Sequence, residues 1–219
     1  MLNVVDDSLV VESKAIYSIE NYLTSRRLMY WSVYLHKTVV AYERTLINCI
    51  RRAEYLAKQG WDIFASPALK YFLYNDINAD WFTSHPEALD MYSQLDDSDI
   101  WSAVKVWAQS DDKLLSMLAD DVINRHIFKV EVREEPVSDE EQHELRKSLA
   151  EKAGISYDDA GYLMSVNTIQ KDMYDINDDH ISILYKDGTI KDITEASELL
   201  NVDLLSKKVR KYYLCYQRF

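Results

Sequence analysis

Glycine is scarce in this chain, with four in 219 residues, and proline scarcer still, with three. Neither Gly-x-Gly-x-x-Gly nor Gly-Lys-Ser/Thr occurs. That excludes phosphate-cradling loops of those two types, which need glycine for tight turns and close backbone approach. Cysteine is limited to Cys49 and Cys215, with no Cys-x-x-Cys pair, so no disulfide framework can be built. Cys49 falls on an apolar helical stripe and Cys215 alternates with aromatics, so both read as reduced core residues. Cys-His and Ser-His-Asp catalysis therefore have no support. The five histidines, at 36, 85, 126, 143 and 180, match no zinc signature. No apolar run reaches membrane-spanning length, and the N-terminus lacks a basic region followed by an apolar one. The expectation is a soluble, cytoplasmic protein with no membrane partner. Positive charge is also in deficit, with 25 Lys and Arg against 37 Asp and Glu, a net charge of −12 and a pI near 4.8. Phosphate-tracking surfaces are usually strongly basic, so nucleic acid is disfavoured as a partner.

Apolar residues make up 47% of the chain and aromatics 12%, enough for one sizeable core or two small domains. One stretch departs from the acidic average. Ala15 to Lys58 holds Arg26, Arg27, Lys37, Arg44, Arg51, Arg52 and Lys58 against Glu20, Glu43 and Glu54, a local balance of +4. A cationic element in an acidic protein suggests an anion-binding surface. Leu28, Trp31, Leu35, Val39, Tyr42, Leu46, Cys49 and Ala53 recur at steps of three and four, which predicts a helix. Ile16, Ile19, Leu23, Tyr30, Val33, Tyr34, Val40 and Ile47 form a second apolar face, which predicts burial on both sides. Arg26, Lys37 and Arg44 interrupt that second face, and buried cations need a carboxylate or a bound anion as partner. A straight helix of this length would span roughly 66 Å, against a diameter of about 45 Å for a compact chain of this size. A bend is therefore expected between Tyr34 and Tyr42, with Gly60 as the stop.

Around this segment the pattern is simpler. Met1 to Ser13 reads as a hairpin or extended lead-in around Asp6-Asp7-Ser8. Ser66-Pro67 and Ser84-His85-Pro86 read as helix starts. Asp96 to Asp99 and Ser110 to Asp112 read as caps of two further helices, since acidic residues suit a helix N-terminus; they lack the glycine and terminal glutamate of a calcium loop. After Arg125 the period falls to two. Strands are expected at Ile127 to Val132, Tyr162 to Tyr174, His180 to Tyr185, Thr189 to Ile193 and Lys211 to Tyr216. Asp187-Gly188 is the hairpin turn, with a capped helix from Ser138 to about Ala153 and a short one near Glu195 to Leu200. The fold class is thus a mainly α-helical part, residues 1–125, followed by a small α+β domain of ferredoxin-like type, residues 126–219.

The spelling of the long segment adds a resemblance. Ile16-Tyr17-Ser18-Ile19-Glu20-Asn21, then Arg26-Arg27-Leu28-Met29-Tyr30-Trp31, then Val33-Tyr34-Leu35-His36-Lys37 closely resembles a stretch of the HD-domain nucleotide phosphohydrolases. That family includes deoxynucleoside triphosphate triphosphohydrolases. The similarity is specific in residue type and spacing over about twenty positions, and continues more loosely to the C-terminus. It implies a hydrolase whose divalent metal is bound by a histidine, a His-Asp pair and a later aspartate. This chain has no His-Asp pair, and Asp179-His180 is in the wrong order. The resemblance therefore implies the C-terminal portion of such an enzyme, without its metal centre and inactive by itself. No catalytic or metal-binding residue is assigned here.

The resemblance also implies roles for residues that are present. Arg26 would contact the triphosphate and Tyr34 would pack against the nucleoside, with Tyr30 one turn away on the same face as a further substrate-binding residue. Core packing with a satisfied hydroxyl remains the other reading of both tyrosines. Lys14, His36, Lys37, Arg125 and Lys129 correspond to positions that hold an activating nucleotide in regulated members, although Arg125-His126-Ile127-Phe128-Lys129 has Ile where the family has Leu. Partners implied are a (deoxy)nucleoside triphosphate and further copies of the chain. A non-catalytic nucleotide-sensing or oligomerisation module is the alternative.

Overall fold

The computed structural model describes residues 1–171, 180–197 and 209–219. It divides into two compact units, Met1–His36 with Thr168–Tyr212, and Lys37–Asn167 with Tyr213–Phe219. This division differs from the one expected at residue 125, because strands late in the chain join the N-terminal hairpin.

In the first unit, β1 (Leu2–Val5) and β2 (Ser8–Glu12) pair antiparallel with Val5 opposite Ser8. The two turn residues, Asp6 and Asp7, have φ of 48° and 57°. A two-residue loop with both φ positive matches the twist of the flanking strands, and Asp tolerates that region better than most residues. Later in the chain, β5 (Ser182–Leu184) and β6 (Ile190–Asp192) form a hairpin across Gly188, whose φ is 88°. The two hairpins join through a parallel pairing of Val11 with Ile183, giving the order β1-β2-β5-β6. Helix α1 (Ile16–Met29) and the short α9 (Ile193–Ala196) accompany this sheet. Val11, Ala15, Leu23, Ile183 and Ile193 form the buried core.

The second unit is built on α2 (Lys37–Lys58). Val40, Ala41, Cys49, Ala53, Leu56 and Ala57 are buried along one side, the stripe that helical periodicity requires. Shorter helices follow: α3 (Pro67–Tyr74), α4 (Ala79–Ser84), α5 (Glu87–Gln94), α6 (Asp97–Trp107) and α7 (Lys113–Asn124). Helix α2 packs chiefly against α7, which contributes the buried Leu114, Leu115, Leu118 and Val122. Buried Trp107 donates its indole N–H to the Phe64 carbonyl at 2.9 Å.

The expected caps are found at Ser66, Asp96 and Asp112. Ser84 is a correction: it ends α4, with its hydroxyl on the Asp80 carbonyl, and Pro86 precedes α5 without a side-chain cap. Strand β3 (Lys129–Arg133) leads to α8 (Asp139–Ala153), where Ser138 accepts from the Glu141 N–H. The other half of that expected capping box is taken elsewhere, because both Glu141 oxygens accept from Arg133.

Strands β4 (Met164–Lys171) and β7 (Val209–Tyr216) complete a second sheet of order β3-β7-β4. The single ferredoxin-like sheet expected of residues 126–219 does not form among the described residues. Its strands divide between two sheets, since β5 and β6 pair with a hairpin more than 170 positions earlier. The expected strand beyond Lys171 and helix beyond Ser197 lie outside the described residues.

The long segment breaks where a bend was expected. Tyr30–Tyr34 forms a π-helical turn, closed by the Leu35 N–H on the Tyr30 carbonyl at 2.8 Å, and α2 begins at Lys37. Such widened turns mark functional positions more often than ordinary helix does. Gly60, with φ of 87°, follows the end of α2. Burial on both faces is corrected. Along α1 only Glu20 and Leu23 are buried, while Leu28 is 61% exposed and Val33 53%. The small core of the first unit covers one side of α1 only.

Candidate functional site

The π-turn extends α1 with a wider winding, and this brings Arg26, Tyr30 and Tyr34 onto one surface. Together with Tyr22, Ser25 and Met29 they line a cleft of about 510 Å³ in the first unit. The Arg26 guanidinium lies 5.8 Å from the centre of the Tyr30 ring, and the Tyr30 and Tyr34 rings are 5.4 Å apart, tilted at 51°. Arg26 is exposed and makes no ion pair among the described residues. Tyr34 is 52% exposed. Core packing, the other reading of these tyrosines, therefore does not describe Tyr34. A guanidinium stacked on an aromatic face and unclaimed by carboxylate can still donate its fork to an anion.

The other residues singled out by sequence are dispersed. Lys14, in the turn before α1, is exposed and paired with Glu12 at 2.5 Å. His36 is exposed, and its backbone N–H reaches the Val33 carbonyl at 3.3 Å. Both belong to the first unit; Lys37, Arg125 and Lys129 belong to the second. Lys37 is exposed at the first turn of α2, so the expectation that it sits buried in an apolar face is corrected, as it is for Arg26. Arg125 is exposed and ends α7 in left-handed conformation, φ 59°. Lys129, on β3, pairs with Glu131 at 3.2 Å and lies 5.2 Å from the Tyr216 ring centre. Its ammonium is held above the usual lysine range by the Tyr216 hydroxyl and by Glu131.

The cation that is buried is Arg52, which sequence reasoning passed over. It is 7% exposed and forks onto Asp112 (Nε–Oδ1 3.1 Å, Nη2–Oδ2 2.7 Å), with Nη1 on Asp159 at 2.6 Å. Burial pushes the Asp112 carboxyl up, yet Arg52 and the α7 N-terminal amides hold it below its ordinary value. Asp112 also accepts from the Leu115 N–H at 2.7 Å, so one side chain caps α7 and ties it to α2. This is a structural ion cluster, since the buried guanidinium is shared by two carboxylates from separate parts of the chain and has no edge left for a ligand. Both thiols are structural too: burial pushes Cys49 up to about 12 and Cys215 to about 11, so neither supplies a thiolate at neutral pH. Among the described residues no three His, Cys, Asp or Glu side chains come together as a metal site, and no helix is long and apolar enough to cross a membrane.

Comparison with known proteins places this geometry. The model of the HD associated region matches residues 1–61, the stretch that contains Lys14, Arg26, Tyr30, Tyr34, His36 and Lys37. A phosphohydrolase from Bacteroides thetaiotaomicron, known as a crystal structure, superposes with a TM-score of 0.92 at 59% identity, covering all of this chain and 54% of that one. The chain is related to HD-domain proteins. The uncharacterized protein YwfO of Bacillus subtilis is 27% identical over 217 residues, 96% of this chain and 47% of that protein. A hypothetical protein from Aquifex aeolicus shares the fold at 21% identity and a TM-score of 0.58, across 99% of this chain and 46% of that one. This HD-related chain thus spans about half the length of the relatives it matches.

Proposed function

We propose that this chain is the C-terminal, substrate-positioning and regulatory portion of a metal-dependent HD-superfamily nucleotide phosphohydrolase, inactive by itself. The observation that carries the reading is the first-unit cleft, where Arg26, with no ion pair among the described residues, stands over the Tyr30 ring and Tyr34 lies beside that ring. A phosphate group suits the planar, permanently charged fork of arginine, and a nucleoside suits the tyrosine faces. The name of the Bacteroides relative supports a hydrolase of phosphate esters or anhydrides. A (deoxy)nucleoside triphosphate is the substrate class that the resemblance favours. Among the described residues no three His, Cys, Asp or Glu side chains come together as a ligand set. No step through a metal is assigned to this chain, and its own part in hydrolysis is to hold the triphosphate.

Arg26 and Lys37 do not share one helix, because the π-turn and the break at Leu35 and His36 stand between them. The break between α1 and α2 places them in different units besides. They are therefore assigned different roles: Arg26 contacts substrate, and Lys37 takes the effector role that the resemblance implies also for Lys14, His36, Arg125 and Lys129. The test compares this chain with one extended to carry the family's metal motif, using manganese and a panel of nucleotides. The chain alone should not turn over. In the extended chain, Arg26→Ala should lower turnover of every nucleotide about ten- to a hundredfold, the cost of one charge-assisted hydrogen bond. Lys37→Ala should leave basal turnover intact and change only the response to added nucleotides. Equal losses at saturating substrate without effector would overturn this division of roles. Chelator-sensitive turnover by the chain alone would overturn the reading itself.

The exposed apolar side chains of α1 and its π-turn, Tyr17, Tyr22, Leu28, Met29 and Val33 among them, favour a second role in self-association. Such a surface is more apolar than a monomer usually carries.

A further inference from the structure

We propose that the second unit contains a separate binding site for a multiply charged phosphate compound, in the cleft that α2 and α8 form with the start of β4. The site is independent of the first-unit cleft and involves none of the residues assigned above to substrate or effector. Arg44, Asn48 and Arg51 recur on α2 at i, i+4 and i+7, and Asp139, His143 and Arg146 do the same on α8, so each helix presents one face to the cleft. The cleft is open to solvent and has a volume of about 730 Å³, within the range of small-molecule sites. Three arginines against one aspartate make a cationic pocket in a protein whose net charge is −12.

The arginines are prepared in different ways. Arg146 is rigid: Nε and Nη2 donate to the Tyr157 and Asp158 carbonyls, both at 2.7 Å, and its guanidinium lies 4.3 Å from the Tyr157 ring centre. It also rests on Gly161, where an added Cβ would come within 3.0 Å of Nη2, so a side chain there would displace it. The two carbonyls take its inner edge without cancelling its charge. The carboxylate of Asp158, 3.4 Å away, is 97% exposed and screened by water.

Arg44 is half-buried, its Nε has no hydrogen-bond partner among the described residues, and its neighbour Glu43 is 3.6 Å distant. A buried, unmatched guanidinium N–H is costly unless something accepts from it. Arg51 is exposed, lies 6.0 Å from the Tyr162 ring centre and makes no ion pair among the described residues. His143 also faces the cleft, its Nδ1 sharing a hydrogen bond of 2.7 Å with the Tyr157 hydroxyl. Asn48 fixes the wall by donating to the Tyr162 and Met164 carbonyls at 2.9 and 3.1 Å. Several guanidinium forks from separate elements recognise an anion with oxygens spread over more than one phosphorus, which favours a di- or triphosphate over a lone carboxylate.

The experiment is calorimetric titration of this chain with inorganic tripolyphosphate at low ionic strength. In an Arg26→Ala background, which removes the first-unit phosphate contact, tripolyphosphate should still bind, and Arg44→Gln with Arg51→Gln should weaken that binding about tenfold or more, as expected for lost charge-assisted contacts. Lys105→Gln, on the exposed side of α6, should leave it unchanged. Gly161→Ala should weaken it by moving Arg146. Because Arg44 is half-buried, the exposed Arg51→Gln alone serves if the double variant does not fold. The proposal is overturned if the chain does not bind tripolyphosphate, or if the arginine variants bind like the parent. It is equally overturned if Lys105→Gln causes the same loss, or if an oligoglutamate peptide displaces tripolyphosphate at equal concentration.

Discussion

Helices α1 and α2 read in sequence as one continuous element, and the molecule treats them oppositely. Helix α1 buries Glu20 and Leu23; α2 buries nine residues, among them Thr45, Asn48 and Arg52. The difference is in the neighbours. Around α2 stand α3, α7 and β3, with carboxylates and carbonyls placed to meet its polar groups. Helix α1 has a small sheet on one side. A cation on α2 is therefore absorbed into structure when carboxylates reach it, as at Arg52, whereas Arg26 on α1 lies over the Tyr30 ring and meets no carboxylate among the described residues. The surroundings, rather than the periodic position, decide whether an arginine is scaffold or site.

The sharpest way to break this comparison is to remove each arginine in turn. Arg52→Ala leaves Asp112 and Asp159 without their cation in a largely dry environment, and should lower unfolding stability by about 3–5 kcal/mol. Arg26→Ala, at an exposed position, should change it by no more than about 0.5 kcal/mol. Urea denaturation followed by circular dichroism measures both. Similar losses from the two would mean that Arg26 is also scaffold.

A smaller effect comes from a carboxylate that α2's unit buries without such a fork. Asp121 is 5% exposed, and burial pushes it up to about 6. Its Oδ2 accepts from Gln217 Nε2 at 2.8 Å, and exposed His126 stands 3.7 Å away. Because the folded value lies above the unfolded one of about 3.9, the folded chain binds this proton more tightly. Its stabilising contribution is complete below about pH 4 and is lost as pH rises through 6. Glu131, held down to about 2 by Arg133, has the opposite sign: its contribution is present above about pH 4.5 and lost as pH falls toward 2. Asp121→Asn should therefore flatten the stability profile between pH 4 and 7 and raise stability at pH 7.5 by about 1–3 kcal/mol. Melting temperatures across that range check it. An unchanged slope in the variant would show that Asp121 titrates normally.

Local chemistry was the legible part of this protein. Asp6-Asp7, Asp187-Gly188, Ser66-Pro67 and Ser138 each specify a turn or cap through neighbours within four residues, and each does so in the structure. The twenty-residue resemblance also found Arg26, Tyr30 and Tyr34, which share one cleft. What escaped depends on distant partners. Arg52 meets aspartates 60 and 107 positions away, and the β2–β5 pairing joins Val11 to Ile183. No periodicity reports such encounters. The Arg44–Asn48–Arg51 face was likewise missed, because its meaning required α8 to stand opposite.

The smallest expected effect on stability is at Leu28, and it tests the exposed side of α1 directly. Leu28 is 61% exposed, so little apolar area returns to water if it is replaced. Leu28→Asp should therefore shift unfolding stability by no more than about 0.5 kcal/mol in the dilute monomer. If α1 covers its apolar side by pairing with a second copy, the same change puts a charge into that contact, and burying an unpaired charge is strongly unfavourable. Sedimentation of the parent chain at tens of micromolar should then show a species above the mass of a monomer, and Leu28→Asp should shift it toward 25.7 kDa. A parent chain that sediments as a monomer would leave the exposed face of α1 without a role in assembly. Its aromatic part would then serve the cleft alone.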